Sequence, residues 1–103
     1  MTAHERVRVP YDPERLAALC REFGVRQLLV FGSVLRDDFS AHSDVDLLVE
    51  FEPQVSLGFR ILDFEAGLSS VFGGRRVDLV RAAYLSPRLR PHVLPEAETL
   101  YAA

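Results

Sequence analysis

Lysine, tryptophan and asparagine are absent from this 103-residue chain, and cysteine, methionine and isoleucine occur once each. Without lysine there can be no Schiff-base chemistry and no lysine-bearing phosphate loop of the P-loop kind. A lone cysteine, Cys20, excludes an internal disulfide. It falls on the stripe Leu16, Leu19, Cys20, Phe23 and reads as core filling. His4, His42 and His92 are scattered without metal-ligand spacing. No apolar run approaches the roughly 20 residues of a membrane span. The start, Met1 to Arg6, has no apolar segment of the signal-peptide kind, so a cytoplasmic protein is expected.

All 12 basic residues are arginine, and the formal net charge is −3. That balance argues against long nucleic acid as the main partner, because phosphate neutralisation needs a basic surface. Arg75, Arg76, Arg81, Arg88 and Arg90 nevertheless gather positive charge in the last third. They form either a solvated face or a contact for an acidic partner or a nucleotide. The missing lysine points to codon bias rather than heat adaptation, whose general signal is more lysine and glutamate.

With 49% hydrophobic and 26% charged residues the composition is that of a globular protein. The length suits one domain, residues 1–103 with a core from about 12, and leaves no room for a separate substrate domain. Asp12 caps a first helix, with Pro13 at its first position and Gly24 past its end. A strand is expected over about Gln27 to Phe31 and a short helix from Ser33. A second strand spans Val45 to Phe51 and ends at Glu52-Pro53-Gln54. Leu57, Ile61, Phe64, Leu68 and Phe72 recur at helical spacing and predict a longer helix over about Leu57 to Phe72, packed on the sheet. A strand over Arg76 to Val80 follows Gly73-Gly74. A helix near Pro87 to Leu94 and a short extended piece, Thr99 to Tyr101, close the chain. Phe59 and Tyr84 are read as packing residues, with partner contact as the other use.

The densest chemical information lies between Phe31 and Phe51. Side chains alternate along a strand, so Asp44 and Asp46 share one face while Val45, Leu47, Val49 and Phe51 fill the other. Two carboxylates so placed repel unless a proton or cation lies between them, and an oxygen-only set suits Mg²⁺ or Mn²⁺ rather than zinc. A solvated strand entry is the alternative. The unbroken apolar run Leu47-Leu48-Val49 argues instead for a strand covered on both faces. Asp78 is disfavoured inside a strand, so it either faces water at an edge or completes a three-carboxylate cage for two-metal phosphoryl or nucleotidyl transfer. Gly32 and Ser33 end an apolar run in an ordinary turn or in a cradle where a phosphate meets free N–H groups at a helix start. Arg36, one turn on, could bind phosphate oxygens bidentately or pair with Asp37 or Asp38. His42 lies in the same loop, as a solvated residue or a phosphate contact.

Gly32-Ser33, Arg36, Ser43-Asp44-Val45-Asp46 and the later Asp78 resemble, in order and spacing, the signature of the DNA polymerase β-like nucleotidyltransferase superfamily. More narrowly the chain is similar to the stand-alone minimal nucleotidyltransferases that act as antitoxins to HEPN-domain toxins. The resemblance runs from about Leu28 to the C-terminus. It implies an α/β (α+β) fold with a small mixed sheet flanked by helices. It implies that Asp44, Asp46 and Asp78 hold two Mg²⁺ ions, with Mn²⁺ an alternative. Asp78 would also orient the incoming hydroxyl. Gly32 and Ser33, with Arg36 and Ser43, would hold the phosphates of ATP. The implied reaction moves AMP to a hydroxyl of a partner protein, a HEPN toxin. A module that neutralises the toxin by covering it, without turnover, is the alternative. The chain departs from the common pattern where Leu35 and Asp37 flank Arg36 and where Ala41-His42 precedes Ser43.

Overall fold

A computed structural model describes residues 10–32, 44–85, 87–88 and 96–103. The first helix, α1 (Pro13–Glu22), begins where the sequence signals say it should. The Asp12 backbone is extended, at φ −93° and ψ 111°, and its Oδ1 accepts the Glu14 amide at 2.9 Å. That bond satisfies one of the amides a helix start leaves without a partner, and Pro13 has none to satisfy. Leu16 and Cys20 point inward and are almost wholly buried.

Four strands make one sheet: β1 (Val25–Phe31), β2 (Val45–Phe51), β3 (Val77–Arg81) and β4 (Glu98–Ala102), in the spatial order β3-β2-β1-β4. β1 runs antiparallel to both β2 and β4, whereas β2 and β3 are parallel. The expected mixed sheet is therefore present. Parallel neighbours need a crossover, and the second helix, α2 (Arg60–Val71), supplies it between β2 and β3.

The core lies between one sheet face and the two helices. Val45, Leu47 and Val49 of β2 and Leu28 and Val30 of β1 meet Phe64, Leu68 and Val71 of α2, all at 7% exposure or less. Phe64 is its centre, with ring centroids 5.2 Å from Phe23 and 5.7 Å from Phe51. Leu48 points to the opposite sheet face yet is only 2% exposed. It registers beside Leu29 and Val80, which with it form an apolar patch on that face between Asp46 and Glu50.

Several boundaries differ from the sequence reading: β3 spans Val77–Arg81 rather than Arg76 to Val80, and α2 ends at Val71 rather than Phe72. β1 begins at Val25, two residues before Gln27. β4 extends one residue beyond Thr99–Tyr101 at each end. α2 begins at Arg60 rather than Leu57, because Gly58 takes the left-handed conformation, φ +56°, which a helix cannot continue through. Leu57 is buried as its apolar character suggested, but in a turn. A 3₁₀ turn over Ala82–Tyr84 follows β3 without having been foreseen. The helices expected from Ser33 and over Pro87 to Leu94 fall largely outside the described residues; Pro87 and Arg88 form a turn. Phe59 and Tyr84 are surface residues, 91% and 75% exposed. Among the described residues no helix is long and apolar enough to cross a membrane.

Phe64→Ala should lower the unfolding free energy by about 3–5 kcal/mol, the usual cost of emptying a fully buried aromatic site. Urea denaturation would show this as a lower midpoint at unchanged slope; a change below about 1 kcal/mol would contradict the central place given to this ring. Burial pushes the Cys20 thiol up from its ordinary 9.0 to about 12, against a smaller lowering by Arg21. In the native protein it should stay protonated and unreactive to thiol reagents at pH 8 and react on unfolding. Because only the unfolded thiol ionises as pH rises from 9.0 toward about 12, its contribution to stability is complete below that window and declines through it.

Candidate active site

Asp46 is the second residue of β2, and two different strands bring it neighbours. On one side, antiparallel pairing sets it opposite Phe31, so the chain leaving β1 at Gly32 passes the Asp46 carboxylate. On the other, parallel pairing sets it beside Asp78 of β3. Residues paired across adjacent strands share a face, and neighbouring strands lie about 4.8 Å apart, so the two carboxylates are attached within reach of one cation. Asp44 immediately precedes β2, two positions before Asp46. The ladder reaches that end intact, because the Val45 amide donates to the Arg76 carbonyl at 2.9 Å.

Gly32 is shaped by this arrangement. Its φ is +78°, a conformation costly to any residue with a Cβ, and a methyl placed there would overlap Asp46 Oδ2. Glycine thus admits the Asp46 carboxylate against the backbone at the end of β1. The sequence pointed to Gly32 as a phosphate cradle; its packing on Asp46 was not legible there.

Asp44 and Asp46 are half-buried and Asp78 is exposed. Among the described residues no polar or charged side chain is fully buried, so the carboxylates avoid the heavy cost of an unpaired interior charge. Asp78 occupies an edge position and a place beside Asp46 at once, so the two sequence alternatives are not exclusive. The donor set is all carboxylate oxygen and fits a hard divalent cation such as magnesium or manganese. Among the described residues no group of three or more histidine, cysteine, aspartate or glutamate side chains is already gathered closely enough to hold a metal ion. Ser33, Arg36 and Ser43 lie outside the described residues. Arg76, given no role by the sequence reading beyond the arginine-rich face, stands two residues before Asp78; the strand period counted backward from Asp78 would have found it.

Two cavities lie elsewhere. One of about 210 Å³ is at the far end of β2, lined by Phe51, Pro53, Arg81 and Tyr84 among others. The other, about 590 Å³, is a groove between α1 and α2, where Arg15 Nη2 donates to Ser70 Oγ at 3.3 Å. Neither is lined by Asp44, Asp46 or Asp78.

Two carboxylates at the start of β2, a third in parallel register beside Asp46 and a glycine on its other flank are compatible with phosphoryl or nucleotidyl transfer. The sequence pattern of the nucleotidyltransferase domain matches residues 14–98. Over 78 residues, 76% of this chain and 77% of the relative, the chain is 41% identical to the protein adenylyltransferase MntA of Thermococcus cleftensis. A solved structure described as a candidate minimal nucleotidyltransferase superposes with a TM-score of 0.69 at 40% identity, covering 82% of this chain and 85% of the other. A chain of the solved complex of a tri-AMPylated Shewanella oneidensis HEPN toxin with an MNT antitoxin shares the fold, with a TM-score of 0.60 at 22% identity, covering 88% and 70% of the two chains. The chain belongs to the nucleotidyltransferase domain family, in its minimal form, and is a nucleotidyltransferase.

Gly32→Ala should both strain the backbone and push the Asp46 carboxylate aside. Expected are a loss of stability of about 1–3 kcal/mol in denaturant titrations and a loss of nucleotide transfer larger than that instability explains. Wild-type transfer by a stably folded Gly32→Ala protein would refute the tight packing of Asp46 on this glycine.

Proposed function

We propose that this chain is a single minimal domain that transfers AMP from ATP to a hydroxyl of a partner protein, a HEPN toxin, and so acts as its antitoxin in the cytoplasm. The observation that carries the reading is the register of Asp46 with Asp78, flanked by Gly32. It occurs in a chain 41% identical to a protein adenylyltransferase. The acceptor's hydroxyl oxygen forms a bond to the α-phosphorus, the bond from that phosphorus to the bridging β-phosphate oxygen breaks, and pyrophosphate leaves. Asp44, Asp46 and Asp78 would hold divalent ions, two Mg²⁺ or Mn²⁺, which supply charge neutralisation for the attacking and leaving oxygens. Asp78, on the outer strand, orients the hydroxyl and takes its proton on a carboxylate oxygen. Gly32, with Ser33, Ser43 and Arg36, receives the phosphates from the β1 side. The all-carboxylate donor set supports catalysis over a purely covering role, since steric inhibition needs no cation site.

The test incubates the protein with Mg²⁺, labelled ATP and the partner protein. Wild type should label the partner and release pyrophosphate, and chelation by EDTA should stop this until Mg²⁺ is restored. Asp78→Asn should cut the rate on the order of 10²–10⁴-fold, the range for losing a positioned base, with the fold intact. An unlabelled partner that is still neutralised by wild type and by the Asp44→Asn, Asp46→Asn double variant would make covering, not transfer, the activity.

A further inference from the structure

Arg76 immediately precedes β3, and its carbonyl accepts the Val45 amide at 2.9 Å. That bond belongs to the first pair of the parallel ladder, Val45 with Val77, so Arg76 and Asp44 are the residues that immediately precede the ladder on the two strands. Val77 packs toward the core. Alternation therefore carries Arg76 to the opposite face, the one that bears Asp46 and Asp78. Its side chain is exposed, and among the described residues its guanidinium makes no ion pair, ring contact or hydrogen bond.

The strand order decides what this free cation faces. Gly32 flanks Asp46 from the β1 side, whereas Arg76 and Asp78 flank it from the β3 side. Attacking and leaving oxygens lie roughly in line on opposite sides of the transferred phosphorus. If the pyrophosphate leaves over Gly32, the acceptor hydroxyl enters over β3, past Arg76. An exposed guanidinium at that entrance offers an anionic group beside the acceptor hydroxyl a bidentate contact.

Building on the transfer reading above, we infer that Arg76 is an acceptor-specificity residue, whose guanidinium engages an anionic group next to the acceptor hydroxyl rather than the phosphates of ATP. The anion is either a carboxylate of the acceptor protein or the phosphodiester left by an earlier AMP addition.

The experiment compares wild type, Arg76→Ala and Arg76→Lys by steady-state transfer to the partner, by intact-mass counting of additions, and by calorimetric binding of a non-hydrolysable ATP analogue without acceptor. Arg76→Ala should raise the acceptor KM about tenfold or more, the scale of a lost charge-assisted hydrogen bond. Analogue affinity and thermal midpoint should match wild type. Arg76→Lys, which keeps charge but not the planar fork, should recover part of the loss. A defect in the first addition identifies a carboxylate, and a defect confined to later additions identifies the phosphodiester. Weakened analogue binding with an unchanged acceptor KM, or no change in any parameter, overturns the inference while leaving transfer intact. A wild-type protein that labels no acceptor overturns the transfer reading itself.

Discussion

Like charges attached side by side on adjacent strands raise the energy of a sheet unless something positive lies between them. Asp46 and Asp78 are placed in that way by the parallel register of β2 and β3, and Asp44 adds a third negative charge immediately before β2. In the transfer reading proposed above, these carboxylates are the ligands of a divalent cation, whose charge offsets their mutual repulsion.

What fixes that register is the hydrophobic layer beneath it. Val45 beside Val77 and Leu47 beside Leu79 alternate with the aspartates along the same two strands. A slip of one residue would turn the apolar side chains to solvent and bring the carboxylates into the core. The crossover helix α2 drives Phe64 and Leu68, both at 0% exposure, against this layer. Catalytic geometry and core packing are thus one constraint read from two sides of the sheet. Gly32 adds the third wall, because the absence of a side chain there lets Asp46 lie against the β1 terminus.

Much of this was readable from the amino-acid order because local signals and burial agree. Asp12-Pro13 marked the start of α1, and the alternation from Val45 to Phe51 gave the strand that carries Asp46. Where they conflict, the reading slipped. Leu57 continues the apolar period of α2, but Gly58 turns the backbone, so the helix starts at Arg60. Arg26 is exposed and polar and hid the first residues of β1. The pairing of Asp46 with Asp78 could not be derived from local pattern, since a parallel register between segments separated by a helix depends on how that helix packs. Its legibility came from family resemblance. Arg76 was passed over although the strand period counted back from Asp78 reaches it; only its place next to the β2 strand needed the structure.

The most direct measurement is a crystal structure with Mn²⁺ and a non-hydrolysable ATP analogue, recorded at the manganese absorption edge so that anomalous peaks locate the ions. The account predicts manganese bound by Asp44, Asp46 and Asp78 together, with the phosphates over Gly32. Manganese held by other groups, with Asp78 unliganded and turned from Asp46, would contradict it.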